Sequence, residues 1–291
     1  MSSESDPTSD YLLLGSAPRP STALELDAML EAVLARMGVE SGGMMTGLEA
    51  ATVQSTLDGA DIVTLALDLT GVRVTNTGTP SSTSTLDDFG AVVEREEGVI
   101  REFRVRANPL VVQGVDVVLD GSVDDLKFVW AVDDQSRLGI GESEKELGRL
   151  RIQLHAETSQ DALVAAATEL LQEQVAEAGV TVSDLDVELA STGPRSATVV
   201  ATAKIRKGIL GASANFEAKA TIDDAMVLHV TEPQLSSRNP LVAALLLVTR
   251  ERINAAVASP INLNASLPAS LHLRDVTFDF GERIRVDLTF G

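Results

Sequence analysis

Apolar side chains recur at Leu26, Met29, Leu30, Val33, Leu34 and Met37, a spacing of three to four that lays one hydrophobic stripe along a helix. Ser21 or Thr22 can cap its start, and Glu25, three residues after Thr22, completes a capping box. Gly38 is expected to end it. Residues 1–20, which finish on Pro18-Arg19-Pro20, read as a loose tail, and Gly42-Gly43-Met44-Met45 as a flexible connector. The period then falls to two. Ile62, Thr64, Ala66 and Asp68 alternate with Val63, Leu65, Leu67 and Leu69, the signature of a strand. Beyond a polar loop at 76–85, strand signals return at 99–105, 111–112, 115–119 and 126–132. Gly114, Gly121 and the pair Asp124-Asp125 separate them as turns. Residues 133–148 read as an exposed connection.

The second half has the same grammar. A strand at 150–154 leads to Ser159, the expected cap of a helix opening at Gln160, with a stripe of Leu163, Ala166, Ala167, Leu170, Leu171 and Val175 that stops at Gly179. Strands are predicted at 180–189, 196–205, 212–222 and 225–230. A third helix starts at Asn239 and Pro240 and runs to about Ala258; strands at 271–280 and 283–290 close the chain. Residues 180–189 and 271–280 share one pattern, with apolar residues at alternate positions and a change of phase across Asp184 and Asp275, where a bulge is expected. The organisation predicted is a tail over 1–20, a helix-plus-β half over 21–155, and a helix-β-helix-β half over 156–291.

The third helix carries the main functional expectation. Leu241-Val242-Ala243-Ala244-Leu245-Leu246-Leu247-Val248 is apolar on every face, so it must be covered nearly all round. Either it is a core helix or part of its surface lines a cavity for an apolar ligand.

Composition narrows the field. Hydrophobic residues make up 44% of the 291 and aromatics only 3%, so the interior is built from Val, Leu, Ile and Ala. The formal charge of -20 repels phosphate backbones, so no nucleic-acid partner is expected. With no cysteine there is no disulfide, thiolate metal site or Cys nucleophile. The acidic, polar start Met1-Ser2-Ser3-Glu4-Ser5-Asp6-Pro7 is not a secretory signal, and the longest apolar run is under half a membrane span. A soluble cytoplasmic protein is expected.

Enzyme signatures are missing. His155, His229 and His272 stand alone in strand contexts without metal-ligand spacing; no phosphate loop or nucleophile elbow occurs. Asp124-Asp125, Asp133-Asp134 and Asp223-Asp224 look like turn residues. Neither enzyme activity, a metal nor a cofactor is expected.

Two phrases resemble a known family. The run Glu232-Pro233-Gln234-Leu235-Ser236-Ser237-Arg238-Asn239-Pro240-Leu241, followed by the apolar helix, Ile261-Asn262-Leu263 and Leu273-Arg274-Asp275-Val276, is similar to the C-terminal part of LmeA-like proteins, actinobacterial phospholipid-binding proteins. Val105-Arg106-Ala107-Asn108-Pro109-Leu110-Val111-Val112-Gln113-Gly114-Val115 resembles the same group. The resemblance implies a tubular lipid-binding (TULIP-like) α+β fold, with curved antiparallel sheets wrapped around long apolar helices in two similar halves. It also implies a lipid carrier or sensor that binds a phospholipid or fatty acyl chain in a groove between helix and sheet. By helical face, the ligand-binding candidates are Leu163, Leu170, Leu171, Leu241, Leu245, Leu246 and Val248. Lys204, Arg206, Lys207, Ile209 and Leu210, a basic hairpin tip with an Ile-Leu pair, are candidates for transient membrane contact. The alternative is a protein-interaction or scaffold module of the same fold with a packed core.

Overall fold

The computed structural model describes residues 11–75, 89–143, 151–176, 181–207, 210–237, 260–265, 267 and 271–291. Of these, 64% lie in strands and 15% in α-helix. The chain divides into two compact units, Met1–Leu154 with Gly291, and His155–Phe290.

Unit 1 opens with β1 (Tyr11–Ser16) and α1 (Ala23–Glu40). Thr22 caps α1: its hydroxyl accepts the Glu25 N–H, and the Glu25 carboxylate accepts the Thr22 N–H, so the capping box forms as expected. The helix runs two residues past Gly38. Ser41 finishes it, donating its N–H to Met37 O with its Oγ 2.7 Å from Gly38 O. Gly38 lies inside the helix, where a Cβ would make ordinary contact with Leu48 Cβ at 3.4 Å.

Two short strands, β2 (Met45–Thr46) and β5 (Arg73–Val74), pair with each other, while β3 (Thr52–Asp58) and β4 (Asp61–Asp68) form a hairpin. β6 (Val92–Val112) and β7 (Val115–Asp133) form a long antiparallel hairpin, and β8 (Arg137–Glu142) follows. Strand order is β1-β8-β7-β6-β4-β3, with β4 and β5 both parallel to β6 and the other pairs antiparallel. Gln113 (φ 52°) and Gly114 (φ 81°) make the two-residue turn of the β6–β7 hairpin, where positive φ at both central positions matches the twist of the strands. Gly121 and Asp124-Asp125, expected as turns, lie inside β7. At Gly121 a Cβ would come within 2.8 Å of Val105 Cγ1, so the glycine makes room for its cross-strand partner rather than breaking the strand.

The core of this unit gathers Leu14, Leu26, Val33, Ile62, Ile100, Phe128, Trp130 and Leu138. Phe128 and Trp130 meet edge to face at 5.2 Å, and the Trp130 indole donates to Ala60 O at 2.9 Å. β1 is seated by a glycine slot: a Cβ on Gly141 would meet the Tyr11 ring at 2.6 Å, and one on Gly139 would meet Phe89 at 2.7 Å. Phe89 stacks on Tyr11 with centroids 4.9 Å apart.

Unit 2 follows from β9 (Ile152–Ser159) and α2 (Gln160–Ala176). Ser159 Oγ accepts the Ala162 N–H at 3.1 Å, the expected cap. A five-stranded antiparallel sheet has the order β10 (Thr181–Gly193), β11 (Ser196–Lys207), β12 (Leu210–Ile222), β13 (Val227–Ser237) and β14 (Ile261–Asn262). A final hairpin, β15 (Leu273–Phe280) and β16 (Arg283–Phe290), has β9 beside β16. The strand register slips between Ser183 and Asp186 and again between Leu273 and Asp275, so both phase changes seen in the sequence are bulges.

These observations correct the expected fold class. The protein is mostly β, with two α-helices among the described residues, and its sheets are not wrapped around long apolar helices. The reason lies in the helix faces. α1 buries only the line through Leu26 and Val33 and leaves Leu24, Met37 and Val39 exposed. A helix with one buried stripe rests on a sheet; it cannot be encircled by one. No residue of α2 from Gln160 to Glu169 is fully buried. The predicted third helix lies outside the described residues.

Candidate functional site

The sheet of unit 2 sorts most of its side chains by register into an apolar and a polar face. On one face, β10 places Val187 and Leu189 opposite Ala201 and Val199 of β11, and Ser191 lies opposite Ala197. β12 continues each row: Ala220 opposite Ala197, Ala218 opposite Val199, Phe216 opposite Ala201, and Ala214 opposite Ala203. β13 adds Val230 and Leu228. Directly paired residues share a face, so these form one continuous apolar surface. The other face is mostly polar, with Glu188, Thr198, Thr202, Lys204, Asn215, Glu217, Lys219 and His229, and includes Val200 and Ala190. This is the alternation expected of an antiparallel sheet wet on one side.

Alanine dominates the middle of the apolar face, while Leu and Val occupy β10 and β13. The two central strands therefore form a floor of small side chains from which Val199 and Phe216 rise. Ala197, Ala214 and Ala218 are buried, but Val187, Leu189, Val199, Ala201, Phe216, Leu228 and Val230 are only partly so. In unit 1, by contrast, the core side chains are almost wholly excluded from water.

The two ends of this sheet differ. At one end the β10–β11 turn carries Arg195, whose Nη2 donates to Asp275 Oδ1 at 2.6 Å and Nη1 to Asp224 Oδ1 at 2.9 Å. Those two carboxylates, Asp275 first, raise the Arg195 pKa. Nearby, Ser191 Oγ accepts the Phe280 N–H and Pro194 O accepts the Phe278 N–H. This end is stapled to β15. In the adjoining β12–β13 turn, Asp223 accepts from His229 Nε2 and from the Val227 and Ala225 N–H groups, which together lower its pKa, the His229 bond most. The opposite end is the β11–β12 hairpin. Lys204 donates to Asp184 at 2.8 Å and lowers its pKa, and Arg206 is exposed.

The sequence-predicted site residues fall out unevenly. Leu163 is on α2 but 39% exposed. Leu170 and Leu171 belong to α2, with side chains outside the described part; Leu241, Leu245, Leu246 and Val248 lie wholly outside it. Lys204, Arg206 and Lys207 lie in the last residues of β11 and Leu210 opens β12, with the Lys207 and Leu210 side chains outside the described part; Ile209 is outside the described residues. The alanine floor was missed. Its signal was the alternate-position alanines at 197–203 and 212–220, read only as strand pattern.

His155 Nδ1 meets Asp287 at 2.7 Å on an exposed surface, and His272 is exposed. Asp133 and Asp223 do shape turns, whereas Asp124-Asp125 lie within β7. Among the described residues no group of three His, Asp or Glu side chains is placed to hold a metal ion, and no helix is long and apolar enough to cross a membrane. The geometry thus defines a mostly β protein of two units, the second built on an amphipathic antiparallel sheet. No family model, curated protein or solved structure matches the chain.

Proposed function

We propose that the protein binds an elongated apolar ligand, a lipid or fatty acyl chain, on the alanine floor of unit 2, as a carrier or sensor without catalysis. The observation that carries this reading is the incomplete burial of Val187, Leu189, Val199 and Phe216 around a floor of alanines in register. Each square ångström of such surface withdrawn from water is worth about 25 cal/mol, so an acyl chain laid along it is held without directional bonds. The resemblance to LmeA-like proteins points to the same ligand class.

The test is to purify the protein, extract it with organic solvent and analyse the extract by mass spectrometry. Stoichiometric lipid, lost in an Ala201→Leu variant that keeps its circular dichroism, is the expected result. A lipid-free extract from a protein that also fails to take up added fatty acid refutes the reading and leaves a packed interaction module in its place.

A further inference from the structure

We propose that the outer face of α1 docks a basic amphipathic helix of a partner protein. This surface belongs to unit 1 and does not draw on the alanine floor of unit 2. With about 100° between successive residues of an α-helix, Leu24, Ala28, Ala32, Ala35 and Val39 fall within one stripe less than a quarter of the way round α1. No polar side chain interrupts it. Leu24 is 79% exposed and Val39 83%. Between them Ala28 and Ala32 are exposed and Ala35 is half-buried. The opposite side of the helix is already committed to the core through Leu26 and Val33. A helix resting on one sheet keeps its outer face polar. α1 is instead apolar on two sides, and only one of them is covered.

Charge decides what can cover the second side. Glu31 borders the stripe along one edge and Glu25 along the other, and α1 as a whole carries Glu25, Asp27, Glu31 and Glu40 against Arg36. Arg36 is engaged within the fold, donating to Leu13 O at 2.7 Å and facing Glu40 at 3.8 Å. A second copy of the chain matches the apolar contacts but not the charges. An antiparallel pairing that sets Leu24 against Val39 and Ala28 against Ala35 also brings Glu31 against its own copy at the centre, between chains of net charge -20 each. An anionic bilayer is repelled on the same ground. A helix with an apolar stripe and Lys or Arg along both borders meets neither objection. The three alanines favour a helix over a bulky loop, because small side chains let two helix axes approach to about 8 Å. Leu24 and Val39 then anchor the two ends.

The test uses three fluorescein-labelled helical peptides of 18 residues, the length of α1. The first has a Leu/Ala stripe bordered by Lys, the second the same stripe bordered by Glu, and the third the first composition scrambled so that no stripe forms. Anisotropy is followed against the full chain and against Leu24→Gln/Val39→Gln. The Lys-bordered peptide should bind the unaltered protein with a Kd of about 10 μM, roughly tenfold more tightly than either other peptide, and more weakly in added salt. The double variant should lose about tenfold in affinity. Its Trp130-monitored unfolding midpoint should match the parent's, because both replaced side chains are exposed. Equal binding of the scrambled peptide reduces the attraction to net charge, and equal binding of the Glu-bordered peptide removes the charge argument. Either result overturns the proposal, as does an unaltered affinity in the double variant or no binding of any peptide. A parent protein that sediments as a dimer, and as a monomer once Leu24 and Val39 are replaced, overturns it in favour of a second copy on this face.

Discussion

Replacing Leu26 with alanine tests the packing of unit 1 most sharply. Leu26 is fully buried on α1, in the cluster with Val33, Leu14, Trp130 and Leu138. The substitution removes roughly three methylene equivalents at about 0.8 kcal/mol each. A cavity term adds to this because a core shared by a helix and several strands relaxes only in part, so the total is about 3–4 kcal/mol. With a urea dependence of about 2 kcal/mol per molar, the midpoint should fall by roughly 1.5–2 M. Trp130 is the sole tryptophan and sits buried with its indole bonded to Ala60 O, so its fluorescence reports unit 1 alone. The control is Leu24→Ala, two residues away but 79% exposed, which should cost under about 0.5 kcal/mol. Equal shifts for the two variants, or a negligible one for Leu26→Ala, would refute the placement of α1.

Asp133 ties the start of β6 to the β7–β8 turn, accepting from the N–H groups of Gly90, Gln135 and Arg137 and from Arg137 Nε at 2.7 Å. Burial pushes its pKa up, but these donors outweigh it and bring the value to about 2. A depressed carboxyl stabilises the fold above the unfolded value of 3.8 and loses that contribution as pH falls toward 2. Asp133→Asn should therefore be less stable than the parent at pH 6, with the gap in urea midpoint closing between pH 4 and pH 2. In the β1 slot, Gly141→Ala drives a methyl into the Tyr11 ring and should cost about 1–3 kcal/mol by Trp130-monitored melting. Combined with Tyr11→Ala, which empties the slot, the glycine substitution should add almost nothing; full additivity would contradict the close approach. Arg195→Gln removes the staple between the β10–β11 turn and β15, so amide exchange should speed up at Phe278 and Phe280 while the Trp130 transition stays put.

What the sequence made legible was local. Thr22 with Glu25, Ser159, and Gly114 specify their caps and turn within four residues, so no tertiary information is needed to read them. The bulges at Asp184 and Asp275 were visible because a register slip reverses which face every later side chain takes. Gly121 misled because its role is set by a distant partner, Val105 across the strand; Asp125 holds a turn-like φ of 55° yet stays inside β7, and Gly38 lies within the helix that continues to Glu40. The candidate site was obscured for a related reason. Alanine has little strand preference and modest hydropathy, so an alanine floor scores weakly in any window while leucine-rich stretches dominate. Only cross-strand register assembles Ala197, Ala201, Ala214 and Ala218 into a surface.

The alanine floor is tested most directly by titrating laurate calorimetrically into the parent protein, Ala201→Leu and Thr202→Leu. The two positions are neighbours on β11 but belong to opposite faces of the sheet. Laurate should bind the parent at one site, lose about tenfold or more in affinity with Ala201→Leu, and bind Thr202→Leu as it binds the parent. Equal effects from the two substitutions, or no binding to the parent, would contradict the account.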